Sequence, residues 1–175
     1  MNIGGISNVT YIGTSQEIIS FDTGPGNCLM DYFMQKSLNK KFDMNGFIAS
    51  KGLSNEYIVK KLLNDSFFLK TYPKSLDKNY FNYIFNHIKN LNAENTMATL
   101  LSFTVQSIEK SFNYLPNYPK EILITGGGAN NNHLVLKLKN TFRKNLNIKT
   151  GDEFNINGDM VEAELIAFLA VRKLY

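Results

Sequence analysis

Cysteine is nearly missing from this 175-residue sequence: Cys28 stands alone, which excludes an internal disulfide. Histidine occurs twice, at His87 and His133, and neither has a carboxylate or cysteine at metal-ligand spacing. A zinc site, and a Ser-His-Asp or Cys-His catalytic arrangement, therefore find no support. No stretch approaches the ~18 uninterrupted apolar residues of a membrane span. The N-terminal MNIGGISNV lacks the basic stretch and apolar segment of a secretory signal, so a reducing cytoplasm is the expected setting. Charge of one sign is also scarce. The net charge is +4, and lysines such as Lys36, Lys60 and Lys137 are scattered rather than gathered with aromatic partners. That pattern reads as solvated surface and not as a nucleic-acid interface. The rest, 43% hydrophobic and 19% charged, is the balance of one ordinary globular domain with a real core.

Residues 3–12 and 17–21 are apolar and β-branched and read as two strands joined by a short turn. Residues 22–27 form a turn cluster that opens a helix through Leu29, Met30, Phe33 and Met34. Residues 43–53 read as loop, and Ser54 or Asn55 caps a helix through Leu63. After a loop at Pro73, residues 78–91 carry aromatics at helical spacing, and 93–113 hold the longest helical pattern, ended by Pro116 and Pro119. Residues 121–125 read as a buried strand, 130–145 as an amphipathic helix, Ile148 and Lys149 as a final strand, and 158–174 as a closing helix. No linker divides residues 1–175. Strands alternating with helices predict an α/β fold with at least part of the sheet parallel.

Four segments carry candidate chemistry. Asn2-Ile3-Gly4-Gly5-Ile6-Ser7-Asn8 sets two glycines where backbone N–H groups can approach a phosphate, with Ser7 and Asn8 adding side-chain donors; a plain hairpin corner explains the same residues. Phe21-Asp22-Thr23-Gly24-Pro25-Gly26-Asn27 places a carboxylate at a strand end, ahead of a helix N-terminus. Asp22 there suits a general base, or simply caps the turn. Gly126-Gly127-Gly128-Ala129-Asn130 joins strand to helix; three glycines favour a flat ligand against the backbone over a tight turn alone. It is neither the dinucleotide nor the Gly-Lys-Ser/Thr fingerprint. Gly158-Asp159 with Glu162 reads mainly as a capping box, with a substrate role for Glu162 as the lesser option.

In this order the segments resemble anhydro-N-acetylmuramic acid kinases, members of the actin, Hsp70 and hexokinase superfamily. Pro73-Lys74-Ser75, Ala98-Thr99-Leu100 with Phe103-Thr104, and Glu162-Ala163 add to the likeness. The resemblance implies an α/β fold of RNase H type, the C-terminal lobe of an actin/hexokinase-type ATPase with extra helices. It implies ATP and Mg2+, and an amino-sugar substrate, 1,6-anhydro-N-acetylmuramic acid from cell-wall turnover. That sugar is opened by water at C1 while O6 takes the γ-phosphoryl group. It implies Asp22 as the catalytic base; Asn2, Gly4, Gly5 and Ser7 at the phosphates; Gly126, Gly127, Gly128 and Asn130 at the adenosine; and Gly24, Asn27 and Glu162 at the sugar. The family is about twice this length, and its first phosphate loop, Gly-x-x-Ser-Gly-Thr-Ser-x-Asp-Gly, has no counterpart here. The resemblance thus implies an incomplete site, completed by a separate N-terminal lobe or a homodimer. The alternative is a non-catalytic nucleotide- or sugar-binding remnant.

Overall fold

The computed structural model describes residues 1–14, 17–142 and 146–154, together with 167, 168 and 171. The strand expected over 3–12 folds back on itself at Gly4-Gly5. β1 (Asn2–Ile3) and β2 (Ile6–Ile12) pair antiparallel, Asn2 opposite Asn8 and Ile3 opposite Ser7. Gly4 N–H donates to Ile6 O at 3.2 Å, closing the corner. β3 (Ile18–Pro25) returns along β2, so the segment expected as a turn from residue 22 is strand through Pro25. Val9, Tyr11 and Phe21 are buried while Thr10 and Ser20 face water, the period-two alternation of a one-sided sheet. The register slips between Ser7 and Asn8, which leaves Thr23 as a bulge residue whose hydroxyl donates to Ser7 O (3.1 Å) and Ser7 Oγ (2.9 Å).

β4 (Glu121–Ile124) and β5 (Asn147–Thr150) pair parallel, as the alternation of elements predicts. One parallel bridge, Asn2 opposite Thr125, joins the two sheets. Ile3 N–H donates to Thr125 O and Thr125 N–H to Met1 O, both at 2.9 Å. The strand order across the bridge is β3-β2-β1-β4-β5.

The helices are α1 (Cys28–Leu38), α2 (Glu56–Leu63), α3 (Phe85–Ile88), α4 (Ala93–Ser111) and α5 (Asn132–Thr141). Asn55, Asn92 and Asn131 cap α2, α4 and α5, each side-chain oxygen accepting the N–H three residues on. α4 packs against β3, α1, α2 and α5 and is the central helix of the core. Its small buried side chains let other backbone approach: Thr104 Oγ1 donates to Gly26 O at 3.0 Å.

The helix expected over 78–91 shrinks to α3 and one 3-10 turn at Asn82–Ile84. Tertiary partners override the aromatic periodicity. Phe81 stacks on Phe68 at 5.4 Å and meets Phe103 edge-on at 5.2 Å. The Tyr80 and Tyr83 hydroxyls both donate to Asp65, at 2.9 and 2.8 Å, and Asp77 accepts from Asn79 N–H at 2.8 Å, an Asx turn. The helix expected over 130–145 also starts later, because Gly127–Asn130 forms a 3-10 turn before Asn131 caps α5. Among the described residues no helix is long and apolar enough to cross a membrane.

Candidate functional site

Three segments meet at one end of the sheet: the Gly4-Gly5 corner, the start of α1, and the turn after β4. Gly26 and Cys28 N–H donate to Gly5 O at 2.9 and 3.1 Å, and Asn27 N–H to Gly4 O at 2.8 Å. The backbone donors of Gly26, Asn27 and Cys28, which lead into α1, are therefore taken by backbone. The Asn27 side chain donates to Ile3 O at 3.4 Å and reaches the turn after β4.

The glycines sort into two kinds when a Cβ is imagined on each. At Gly126 (φ +79°) a Cβ would sit 2.1 Å from Asn2 Oδ1, and at Gly128 2.4 Å from Ile3 Cγ2. At Gly24 it would meet Ser107 Oγ at 2.5 Å, and at Gly26 the Gly4 carbonyl oxygen at 2.3 Å. Packing alone requires glycine at these four, including Gly24, Gly126 and Gly128, which the resemblance assigns to ligands. Gly4, Gly5 and Gly127 differ. Their nearest contacts would be 3.7, 3.8 and 3.7 Å, and none has a positive φ. Gly5 and Gly127 are exposed. Packing does not account for glycine at these three positions, while close approach by a ligand does. Ser7 is fully buried with its hydroxyl held by Thr23, so it braces the bulge rather than facing the corner.

Asp22 lies within β3, opposite Asn8, and not at the strand's end. Its N–H donates to Lys74 O at 3.1 Å and its Oδ2 accepts from Leu76 N–H at 2.7 Å. The Pro73-Lys74-Ser75 segment is thereby strapped to β3. Lys74 anchors the strap: its Nζ lies 4.7 Å from the Phe67 and Tyr114 ring centres and 5.6 Å from that of Phe21. Burial, then the neighbouring Lys110, lowers its pKa to about 8. Half-buried and held by one backbone donor, Asp22 keeps acceptor capacity for a water or hydroxyl.

A cleft of about 370 Å³ opens between α1, the loop at 42–45 and the turn at 127–131. Asn27, Gly127 and Asn130, three of the expected site residues, line it; Asp22, Gly4 and Gly5 do not. Phe42 and Met44 give it exposed apolar surface, and Asp43 anchors their loop by accepting from Ile48 N–H at 2.9 Å and Ala49 N–H at 2.9 Å. Asp31, on the first turn of α1, also lines it, and burial raises its pKa to about 6. Sequence reading missed Asp31, Asp43 and Phe42; Asp31 one helical turn from Asn27 on the same face was the available signal. Glu162, with Asp159, lies outside the described residues. Among the described residues no three His, Cys, Asp or Glu side chains gather as a metal site.

Comparison with known proteins agrees in kind. The family model described as anhydro-N-acetylmuramic acid kinase matches residues 1–175. Anhydro-N-acetylmuramic acid kinase of Zymomonas mobilis is 35% identical over 176 residues, covering 100% of this chain and 47% of its own. That of Rhodopseudomonas palustris is 37% identical over 174 residues, 99% and 47%. That of Shewanella frigidimarina is 37% identical over 179 residues, 98% and 48%. The chain spans about half the length of the curated relatives it matches. With the family model matched from end to end, this chain belongs to the anhydro-N-acetylmuramic acid kinase family.

Proposed function

We propose that this chain is the nucleotide-facing, C-terminal half of an ATP-dependent kinase that opens and phosphorylates 1,6-anhydro-N-acetylmuramic acid. The strand order β3-β2-β1-β4-β5, antiparallel on one side and parallel on the other, supports an RNase H-like lobe for it. The cleft beside Gly127 and Asn130 takes the adenosine: its volume suits a nucleoside, Phe42 and Met44 supply apolar contact, and Asn27 and Asn130 supply polar groups. Gly4 and Gly5 face the phosphates.

Asp22 acts as general base. It takes a proton from water, whose oxygen attacks C1; the C1–O6 bond breaks, and O6 takes the γ-phosphoryl as ADP leaves. Mg2+, bound with the nucleotide, would supply charge stabilisation to the transferring phosphoryl group. The complementary half supplies the facing phosphate loop, because in-line transfer needs positioning from both sides of a closing cleft.

The observation that carries this reading is the trio Gly4, Gly5 and Gly127: glycines that packing does not require, gathered around Asn27 where three segments converge. The test is reconstitution. The purified chain is mixed with either the first or the second half of the Zymomonas mobilis relative, and phosphorylation of the anhydro sugar is followed by product mass. Turnover with the first half, lost on Asp22→Ala, is expected. Rescue by the second half alone would overturn the C-terminal placement. Nucleotide binding without turnover in either mixture would leave a non-catalytic binding module.

A further inference from the structure

Residues 71–77 cross the open edge of β3 without regular secondary structure. They are exposed except Lys74 and Leu76, which are half-buried. Two hydrogen bonds tie this strap to β3, and both belong to Asp22. Its N–H donates to Lys74 O at 3.1 Å, and its Oδ2 accepts from Leu76 N–H at 2.7 Å. Tyr72 stacks on Phe21 at 5.7 Å before these bonds, and Asp77 turns back on Asn79 N–H at 2.8 Å after them.

The Lys74 side chain leads away from the carboxylate. Its Nζ stands over the ring of Phe21, and Phe21 and Asp22 are successive strand residues whose side chains leave opposite faces. The lysine stem therefore runs to the core side of the sheet, into a cage of Phe21, Phe67 and Tyr114. The cage is itself fixed. Phe21 and Phe67 are buried, Phe67 meets Phe68 edge-on at 5.1 Å, and the Tyr114 hydroxyl donates to Phe68 O. Among the described residues no carboxylate pairs with Lys74; its Nζ donates to Phe67 O at 3.5 Å. A cation here gains attraction to ring faces and loses hydration, and the two effects oppose each other. What the cage grips is the long stem more than the charge.

We propose that Lys74 is a positioning residue for Asp22: its caged stem holds the strap so that Leu76 N–H pins Oδ2, and Oδ1 is the oxygen that takes the proton from water. A strand carboxylate without that bond could turn about its own side chain and present either oxygen at a range of angles. With one oxygen held by a backbone donor, the other is set in one direction. The inference rests on the kinase reading for what Oδ1 does; the pinning of Oδ2 is tested without turnover.

Three variants test it. Lys74→Ala empties the cage, Lys74→Met keeps a stem of similar length in it, and Leu76→Pro removes the N–H while leaving the cage alone. In the isolated chain, amide exchange at Leu76 should be about tenfold or more faster in Lys74→Ala and within about threefold of the parent in Lys74→Met. In the reconstituted kinase, Lys74→Ala and Leu76→Pro should each lower kcat about 10–100-fold with KM changed less than about twofold, and Lys74→Met should restore kcat. Leu76→Pro keeps the test open should Lys74→Ala fail to fold. Leu76 exchange unaltered in Lys74→Ala would overturn the proposal, as would full kcat in Leu76→Pro. So would loss of kcat in Lys74→Met with Leu76 still protected, since the ammonium group would then act in the reaction itself. A parent mixture without turnover would sink the kinase reading and leave Leu76 exchange to decide this one.

Discussion

Gly127 and Gly128 are adjacent, yet replacing them should have opposite consequences. A methyl group at Gly128 would stand 2.4 Å from Ile3 Cγ2, 2.6 Å from Ile3 Cβ and 3.0 Å from Ile3 O. Ile3 is fully buried and β-branched, and its backbone holds the bridge to Thr125, so it cannot swing aside. Gly128→Ala should therefore cost about 1–3 kcal/mol by overpacking. For a chain of this size that is a midpoint lowered by about 2–12 °C. At Gly127 the same methyl meets only Asn27 Nδ2, at 3.7 Å, and φ is not positive. Gly127→Ala should leave the midpoint unchanged or raise it, by up to about 1 kcal/mol through the unfolded chain. Gly127→Val, which projects into the cleft, should weaken ATP-analogue binding at least about tenfold while Gly128→Ala, at equal folded fraction, does not. Thermal unfolding and calorimetric titration of the variants decide the matter. A Gly127→Ala variant as unstable as Gly128→Ala would refute the division of the glycines into packing and ligand positions.

Phe81→Ala should cost about 3–5 kcal/mol in denaturant unfolding, because Phe81 is the ring shared by Phe68 and Phe103. Thr104→Val should cost about 1–3 kcal/mol by leaving the buried Gly26 carbonyl without its partner, measured the same way. Asp31 titrates near 6 when folded, above the usual carboxylate range, so between about pH 4 and 6 the folded chain binds more protons than the unfolded one and stability falls as pH rises. Asp31→Asn should flatten that decline in midpoint-against-pH curves. In the reconstituted kinase Asp22→Asn should lower kcat about 10²–10⁴-fold with an unchanged midpoint, since the amide oxygen still accepts from Leu76 N–H.

What could be read in the sequence was what local chemistry decides. A cap at Ser54 or Asn55, which the structure gives to Asn55, the α4 periodicity and a parallel pair of strands were all legible there. What failed was decided at a distance. The aromatic run at 78–91 has helical spacing, but Asp65 and Phe68 claim its side chains. The glycines of 126–128 looked alike because nothing in the local sequence says that Ile3 packs against two of them and not the third. Asp22 read as a turn residue because the bulge that keeps β3 running to Pro25 depends on Ser7, sixteen residues earlier. Asp31 went unremarked because the loop at 42–45, which shares its cleft, lies more than ten residues on.

The single bridge between the sheets also sets a timetable. Met1 meets Leu123 and Thr125 across more than a hundred and twenty residues, a closure whose chain entropy alone is about 4 kcal/mol. During synthesis the β-meander of residues 2–25 is made about a hundred residues before its β4 neighbour. Its apolar face can shelter only against α4, which is local, long and complete before residue 112. β1 is thus made before α4 and joined to β4 only after it, and α4 is what the nascent chain leans on in between.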